Sequence, residues 1–389
     1  LALPGDGVVA ARLRQSPRPL VVEYREPKSL SLLPDVFPTG TGAAQQQERA
    51  VLNRIHSTLL VPIAFKDQLL GVVSLGPRLG DLPYSREDRQ LLMAIAWQTA
   101  FAVQNLMLVQ QIAEEERLRH ELEIATSVQQ RLFPQGPPPA ERLDLWGVCH
   151  PARGVGGDYY DFIQLDQGNV GIAVADVAGK GISAALLMST VQASLRSQAP
   201  SVNGRLTELV SSMNRLLYSS TDTNSYATFF FAQFDEKTGR LCYVNAGHNP
   251  PILLRSTAAF RKQGAGQAVV GYGDAKTVPA GIGVGAEDAG IIRLTTGGLV
   301  IGVFHPCHYE QATIETRPGD VLVAYTDGVT EAINAQGEEF GEGRLQGIIE
   351  ASAHLSAREI SDGIVQAVRQ WCGDTPQQDD LTLVVMKVK

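Results

Sequence analysis

The sequence predicts an α+β protein, because short apolar strands occur in runs and the long helical segments are grouped between them. The regular alternation of strand and helix that is typical of a parallel α/β sheet is missing from this pattern. Strands are predicted at Val170–Val174, Ala227–Phe234, Leu241–Asn245, Ile252–Leu254, Val321–Tyr325 and Leu381–Val388, and helices at Gly181–Ser197, Leu206–Leu217 and Ala357–Trp371.

Length and composition indicate a globular protein of two or three domains that does not bind nucleic acid. The 389 residues are 44% hydrophobic and carry a net charge of −8. Proteins that coat nucleic acids usually have a basic excess or a basic stripe, and this chain has neither. Its four cysteines are far apart and form no CxxC pair. We therefore expect reduced thiols and a cytoplasmic location.

The first segment reads as two strands followed by a helix. Apolar residues from Leu59 to Leu75 surround a polar Lys66-Asp67 turn, and Ser85 is placed to cap a helix that continues past Phe101. The uncharged stretch Leu91–Val109 is long enough to raise the question of a membrane span. Polar residues interrupt it at helical spacing, so we predict an amphipathic helix and no span. Upstream, Ser29–Gln47 has the composition of a loop.

Residues 1–105 resemble the C-terminal portion of a GAF domain, a sensory fold with an antiparallel sheet flanked by helices. The chain does not begin with Met, so we expect this domain to be truncated at its N-terminus. Residues 1–105 contain no cysteine, which disfavours a thioether-linked bilin, and their only histidine is His56. The sequence does not identify the GAF ligand.

Residues 106–137 predict a connecting helix that ends near Pro134. Apolar residues recur along it at spacings of three and four, which suits packing against a partner helix in a homodimer. A plain connecting helix that lies on its own domain fits the pattern equally well. The apolar stripe consists of Leu118, Leu122, Ala125, Val128 and Leu132.

Four acidic clusters follow in residues 138–389, each at the end of an apolar run. Carboxylates at strand ends, beside glycine-rich turns, can converge on one point, and their hard oxygen atoms suit Mg²⁺ or Mn²⁺. Each cluster alone is commonly a turn or a cap, so the prediction depends on all four occurring together. The clusters are Gly156-Gly157-Asp158-Tyr159-Tyr160-Asp161, Asp176-Val177-Ala178-Gly179-Lys180-Gly181, Thr326-Asp327-Gly328 and Asp379-Asp380-Leu381-Thr382.

The order of these clusters resembles the PPM family of metal-dependent, protein phosphatase 2C-like enzymes, in its SpoIIE/RsbU-like branch. The resemblance implies an α-β-β-α sandwich, a binuclear metal centre and a serine/threonine phosphatase acting on a STAS-type (anti-anti-sigma) phosphoprotein. A GAF sensor followed by a connecting helix is the usual arrangement in that branch. The matching text is PARGVGGDYYDF, ADVAGKGISAALLM, YATFFFAQFDEKTGRLCYVNAGHNPPILLR, RPGDVLVAYTDGVTEA and DDLTLVV.

The resemblance also implies a role for individual residues. Asp158 would ligate one of two Mg²⁺ or Mn²⁺ ions, Asp176 would bridge both, and the Val177 carbonyl would complete a site. Asp327 and Asp379 would hold the second ion, and a slip by one position would make Asp380 the ligand. Gly157, Gly179 and His248 are assigned to substrate binding, where glycines allow close approach of the backbone.

Two departures and two alternatives accompany this prediction. The family often has Glu where this chain has Gly154, and Arg153 beside it is either a phosphate contact or an ordinary surface residue. His248 is either an acid/base group or a structural loop residue.

Gly156-Gly157-Asp158 superficially matches the GGDEF motif of diguanylate cyclases, but Tyr159-Tyr160 follows it. A PPM fold kept only for binding is the other alternative. Residues 258–290 read as an insert of undefined role.

Overall fold

The computed structural model describes residues 8–25, 29–31, 48, 50–52, 54–80, 82–202, 204–221, 225–256 and 290–389. Most of the predicted loop at 29–47 and nearly all of the 258–290 insert lie outside these residues, although Ser29–Ser31 forms a short strand where a loop was predicted. The chain divides into two compact units, Leu1–Arg119 and His120–Lys389.

The first unit contains two small antiparallel sheets. In one of them, β4 pairs with β5 around the predicted Lys66-Asp67 turn, and β1 lies on the other side of β4. Buried Val9, Leu13, Leu52 and Leu60 form its main apolar cluster. The elements are α1 (Val8–Gln15), β1 (Leu20–Val21), β2 (Glu23–Arg25), β3 (Ser29–Ser31), β4 (Leu59–Phe65) and β5 (Gln68–Leu75).

The helix α2 runs without interruption from Arg86 to Gln130. Its start is as predicted: the Asp88 amide donates to Ser85 Oγ at 3.1 Å, and the Ser85 amide donates to Asp88 Oδ2 at 2.9 Å. The predicted domain junction between residues 105 and 106 falls inside this helix. By length and composition alone, α2 could also cross a membrane, so the absence of a span stays a prediction.

The second unit contains two sheets flanked by helices, in which the strands pair antiparallel except for the short β13, which pairs with β10 in parallel. The first sheet has the strand order β13-β10-β9-β8-β7, with β14 also paired to β10, and the second has the order β12-β11-β15-β16-β6. The strands are β6 (Leu143–His150), β7 (Tyr159–Gln164), β8 (Val170–Val177), β9 (Ala227–Asp235), β10 (Arg240–Ala246), β11 (Ile252–Leu254), β12 (Ile291–Arg293), β13 (Gly297–Gly298), β14 (Ala312–Glu315), β15 (Val321–Tyr325) and β16 (Leu381–Val388).

Alternation of side chains along the strands builds a layered core. In β9, Phe229 and Phe231 face the helices on the outside of the first sheet, whereas Phe230 faces the second sheet. In β16, Val384 points between the sheets and Val385 points to the opposite helical layer. Both faces of these central strands are therefore buried, which explains why they are apolar without alternation. The layers confirm the predicted α-β-β-α sandwich.

The outer helices are amphipathic and bury one face each. In α7, Ser356 and Glu359 form a capping box, and Ile360, Ile364 and Val368 pack on the second sheet. The helices of this unit after α2 are α3 (Ile182–Gln198), α4 (Leu206–Ser220), α5 (Asp327–Thr330), α6 (Gly341–Ser352) and α7 (Ala357–Cys372).

Candidate metal centre

The four predicted aspartates lie at strand ends of the sandwich. Asp158 immediately precedes β7, and Asp176 lies near the end of β8, the strand paired to β7. Asp327 follows β15 after one residue, and Asp379 comes shortly before β16, the strand paired to β15. Antiparallel pairing places the start of one strand beside the end of its neighbour. Each sheet therefore brings two of the aspartates to one edge.

A hydrogen bond joins the ends of the two sheets. Thr326, at the end of β15, donates its hydroxyl to Asp158 Oδ2 at 2.7 Å. The same Oγ accepts the Thr382 amide at 3.0 Å, and Thr326 and Asp158 are both buried. Thr326 thus fixes the orientation of a buried carboxylate from across the sandwich. Thr326 was not predicted as a site residue, although it directly precedes Asp327 in the third acidic cluster.

Burial and neighbouring negative charges raise the pKa of three carboxylates of this cluster above the ordinary range. Burial, followed by the charges of Asp327, Asp379 and Asp380, raises the pKa of Asp176 to about 7. Burial and the charge of Asp379 raise the pKa of Asp327, and burial and the charge of Asp176 raise the pKa of Asp158. Such mutual repulsion shows that the negative charges are close and incompletely compensated.

Asp380 organises the backbone that leads to Asp158. Its two carboxylate oxygens accept the amides of Ala152 and Gly157, both at 2.8 Å. A Cβ at Gly156 would collide with the same carboxylate, so glycine is required there for steric reasons. Asp380, which the sequence offered as an alternative ligand to Asp379, is thus engaged in holding the 152–157 loop.

Gly157 lies directly against the predicted carbonyl ligand. A Cβ on residue 157 would lie 2.7 Å from the Val177 carbonyl oxygen, which is closer than a non-bonded Cβ can approach, so a larger residue would force the backbone to shift. The structure therefore brings together Gly157 and Val177 from two separate acidic clusters. Gly179, also predicted to bind substrate, has a φ of +106° in the exposed turn after Val177.

Lys180 provides a positive charge at the rim of the aspartate cluster. Its ammonium lies 2.7 Å from Asp379 Oδ2 and donates to the Gln378 carbonyl at 2.9 Å. Its charge also lowers the pKa of Asp176 and Asp327, although the effect is smaller than that of burial and the neighbouring carboxylates. The sequence analysis gave Lys180 no role because a lysine in a glycine-rich turn is an unremarkable surface residue.

His248 is buried behind the strand ends. The residue is 4% exposed, and its Nδ1 lies 2.8 Å from the hydroxyl of Thr228. Thr228 in β9 is the pairing partner of Asp176 in β8. Burial lowers the pKa of the imidazole to about 4, so the ring is neutral near pH 7. This placement favours a structural role, and a role in substrate binding stays a prediction.

The last turns of α2 also hold the 152–157 loop, through hydrogen bonds to the loop backbone. Gln129, which is buried, accepts the Gly156 amide at 3.1 Å and donates its own amide to the Gly156 carbonyl at 2.7 Å. Thr126 donates to the Gly154 carbonyl at 2.7 Å. Gly154, where the family often has Glu, thus contacts this helix through its backbone carbonyl. Gln129 and Thr126 were also missed, because polar residues on a helix give no sign of a distant partner.

The donor set fits divalent cations of the Mg²⁺ or Mn²⁺ type by its chemistry. Every predicted side-chain ligand is a carboxylate, and the raised pKa of Asp176 shows that added positive charge would relieve repulsion. As placed, no three His, Cys, Asp or Glu side chains among the described residues are arranged closely enough to hold one ion. The carboxylates are neighbours, and gathering them around an ion would require side-chain rotation.

Comparison with known proteins decides the family. The model of the family "Stage II sporulation protein E (SpoIIE)" matches residues 166–283 and 279–389, together more than half of the chain. The chain belongs to the SpoIIE family. The GAF domain model matches residues 1–103, which confirms the predicted N-terminal domain of this SpoIIE-family protein. The GGDEF alternative is not supported, because Gly156-Gly157-Asp158 lies in the phosphatase-type unit.

Curated relatives of this SpoIIE-family protein include phosphoserine phosphatases. It is 29% identical to "Phosphoserine phosphatase RsbU" of Bacillus subtilis over 275 residues, which cover 71% of this chain and 72% of RsbU. It is 26% identical to "Protein IcfG" of Synechocystis over 360 residues, which cover 85% of this chain but 51% of IcfG. It is 26% identical to "Phosphoserine phosphatase RsbP" of Bacillus subtilis, covering 55% of this chain and 46% of RsbP.

A solved structure confirms the fold of the second unit. The "SiaA-PP2C domain of Pseudomonas aeruginosa" superposes with a TM-score of 0.55 at 16% sequence identity, covering 71% of this chain and 99% of that domain. At this level of identity the likeness concerns the protein phosphatase 2C fold alone. The fold and the family predicted from the sequence are thus both confirmed.

Proposed function

We propose that this SpoIIE-family protein is a metal-dependent protein serine/threonine phosphatase. The observation that supports it most is the cluster of four aspartates at the strand ends, in which burial and neighbouring carboxylates raise the pKa of Asp158, Asp176 and Asp327. A perturbed cluster of this kind is typical of a functional site. All four predicted ligand positions are acidic, which argues against a PPM fold kept only for binding.

Each residue of the candidate centre has a separate role in the proposed reaction. Asp158, Asp176, Asp327 and Asp379, with the Val177 carbonyl, would hold two Mg²⁺ or Mn²⁺ ions. When bound, two such ions supply a hydroxide near neutral pH and offset the charge of the phosphoryl group. Thr326 keeps Asp158 oriented through the 2.7 Å hydrogen bond. Gly157 leaves room for the Val177 carbonyl, since any larger residue would displace it.

Turnover of a generic phosphoester tests this proposal. We expect the full chain to hydrolyse it with Mn²⁺ and to lose that activity with a chelator. Asp327→Asn should lower kcat by at least about 100-fold, since removing even an outer-shell partner of a metal ligand typically costs 10- to 100-fold. Asp362→Asn on exposed α7 surface, where Asp362 lies 3.7 Å from Arg358, is the matched control.

Calorimetry separates the enzyme from the pseudoenzyme. Mn²⁺ titrated into the wild type should give saturable heat that Asp327→Asn reduces. Saturable Mn²⁺ binding without any turnover would support the binding-module alternative, and neither binding nor turnover would remove the proposal altogether.

The proposed substrate is a phosphorylated STAS-type regulatory protein. The support is the similarity of this chain to the phosphoserine phosphatases RsbU and RsbP, together with the resemblance to the SpoIIE/RsbU-like branch. Dephosphorylation of a panel of purified phosphoproteins, with and without a STAS fold, would test it. Preference for an unrelated phosphoprotein would leave the phosphatase proposal intact and remove the substrate proposal.

We also propose that the GAF domain and α2 control the metal centre. The support is the pair of hydrogen bonds between Gln129 and Gly156, two residues before Asp158. Ala125→Pro, which breaks the helix one turn before Gln129, should change basal or stimulated activity, whereas the helix-compatible Ala125→Gln should not. Equal activity of the two variants would show that the helix does not act on the site.

A second copy of the chain is the partner that we propose for α2. Leu118, Leu122 and Val128 of the predicted stripe are 49%, 42% and 56% exposed, and exposed apolar stripes on a helix typically pair with another helix. Light scattering of the wild type should give a dimer mass, and Leu122→Glu should shift it to the monomer. A monomeric wild type would contradict this.

A cytoplasmic location, suggested by four free cysteines, is likewise a proposal.

A further inference from the structure

A pocket of about 540 Å³ adjoins the aspartate cluster and has no role in the mechanism described so far. Gly328, Asp379 and Lys180 form the wall that it shares with the cluster, and the opposite wall comes from the end of α7 and the end of β6. Pockets that bind small ligands run from roughly 300 to 1,000 Å³, so this one exceeds what a phosphoryl group alone would fill.

Charge is segregated across this pocket. On the side of the cluster, burial and the charges of Asp327, Glu339 and Asp379 raise the pKa of Glu331. On the far side, Arg369 from α7 lies close enough to His150, at the end of β6, to lower the pKa of its imidazole after the larger effect of burial. Arg369 thus brings a positive charge to one end of the pocket, and Glu331 and Asp379, the latter paired with Lys180, line the other end.

Arg369 has no acidic partner within the described part of the chain. Its guanidinium forms no hydrogen bond or ion pair there, whereas Arg358 on the same helix lies 4.8 Å from the Trp146 ring and 3.7 Å from Asp362. The pocket is also lined by apolar Ile333, Val368 and Leu381. Such a surface suits the stem of a side chain whose head is anionic.

We propose that this pocket binds an acidic side chain next to the phosphorylated residue of the substrate protein, with Arg369 as the residue that recognises it. The inference rests on the proposed phosphatase function and adds a sequence preference to it. A phosphoserine at the aspartate cluster places its neighbouring residues over this pocket, because Gly328 and Asp379 belong to both. The carboxylate of a flanking Glu would pair with the guanidinium of Arg369, the cation best shaped to bind it in two-point fashion.

Matched phosphopeptides test the proposal on the full chain with Mn²⁺. Each peptide carries a single Glu at one of the positions before or after phosphoserine, and its partner carries Gln there. We expect kcat/KM to favour Glu over Gln by about threefold to tenfold at one of these positions, mostly through KM, as for a partly exposed ion pair with good geometry.

Variants of Arg369 assign the preference to this pocket. Arg369→Gln should bring the Glu-to-Gln ratio to about one, and Arg369→Glu should favour a Lys peptide over the Glu peptide. Arg358→Gln, the control on the same helix, should keep the wild-type ratio. A ratio of one at every position in the wild type, or an unchanged ratio in Arg369→Gln, overturns this inference.

The Gln peptides distinguish failure of the pocket assignment from failure of the proposed phosphatase function. Their hydrolysis without any preference for Glu leaves the phosphatase standing and removes the pocket assignment. If the wild type with Mn²⁺ hydrolyses neither the peptides nor a generic phosphoester, the proposed function fails, and the pocket assignment fails with it.

Discussion

The two loops that meet at the candidate metal centre are held in different ways. The 152–157 loop, before Asp158, is tied by backbone hydrogen bonds to Asp380 on one side and to Gln129 on the other. The 178–181 turn, after Asp176 and Val177, is exposed, contains Gly179 and Gly181 at positive φ, and is tied by Lys180 at its rim. One side of the centre is thus held by a buried pair of hydrogen bonds to Gln129 and by two partly buried ones to Asp380, and the other side has few such contacts.

This difference indicates where the centre can adapt. Buried hydrogen bonds to backbone amides are costly to leave unmade, so the first loop has essentially one arrangement. An exposed ion pair contributes little, so the second turn can rearrange at small cost in free energy. We therefore expect substitutions around the first loop to have much larger effects than substitutions in the second.

The largest effect is expected for Asp380→Ala. It leaves the Ala152 and Gly157 amides without their acceptor, which should lower the free energy of unfolding by about 3 kcal/mol and loosen Asp158. Chemical denaturation measures the first effect and phosphoester turnover the second. Asp380→Asn, which keeps one acceptor oxygen, should lose less of both. Equal losses in the two variants would show that charge matters here more than the amide contacts.

Acid should lower the free energy of unfolding through the buried imidazole of His248. The folded pKa of its imidazole is about 4 against an ordinary 6.5, so the unfolded chain takes up a proton first as the pH falls. Stability is thus retained above about pH 6.5 and is lost between 6.5 and 4, by on the order of 3 kcal/mol. Denaturation of wild type and His248→Gln across this range should show the difference, and parallel curves would contradict the burial of His248.

Thr326→Val should weaken metal binding more than it weakens the fold. The variant keeps the shape of the side chain but removes the hydroxyl that orients Asp158. Groups that orient a metal ligand typically contribute 10- to 100-fold in affinity, so we expect a loss of that size in Mn²⁺ titrations. Thr326→Ser keeps the hydroxyl and should restore most of the affinity. No rescue by Ser would mean that the methyl group is what matters.

The smallest effect is expected for Lys180→Gln, which tests the weakly held side of the comparison. Both members of the Lys180–Asp379 pair are nearly half exposed, so their ion pair should contribute less than about 1 kcal/mol to stability. Thermal denaturation at low and high salt measures it. A loss as large as that of Asp380→Ala would show that the two loops are equally well held.

The strands and most helices could be predicted because their residues report on local periodicity. The boundaries of β11, β15 and β16 are as predicted, and α7 extends the prediction by one residue. The prediction missed the strands β1, β2, β3, β6, β7, β12, β13 and β14 and the helices α1, α5 and α6. Helix α6 contains Gly341, Gly343 and Gly347, which lower helix propensity, and it forms because Leu345 and Ile349 pack on the second sheet. Tertiary packing overrode local preference there.

The acidic residues of the centre could be selected from the sequence, because carboxylates at strand ends beside glycine turns are a recognisable pattern. The residues that fix them could not. Thr326 and Gln129 act through hydrogen bonds to residues far away in the chain, and a hydroxyl or an amide on a strand end or a helix carries no mark of such a partner.

The sequence by itself determined the strongly periodic strands and helices, the fold class and the family that the chain belongs to, since these depend on short-range periodicity and on the order of motifs. Only the tertiary structure decided that Asp380 holds a loop, that Gly157 lies against the Val177 carbonyl and that Arg369 faces a pocket beside the aspartates. The physical reason is that hydrogen bonds, close approach and charge coupling depend on distance in space, which residues remote in the chain acquire only when the sheets pack.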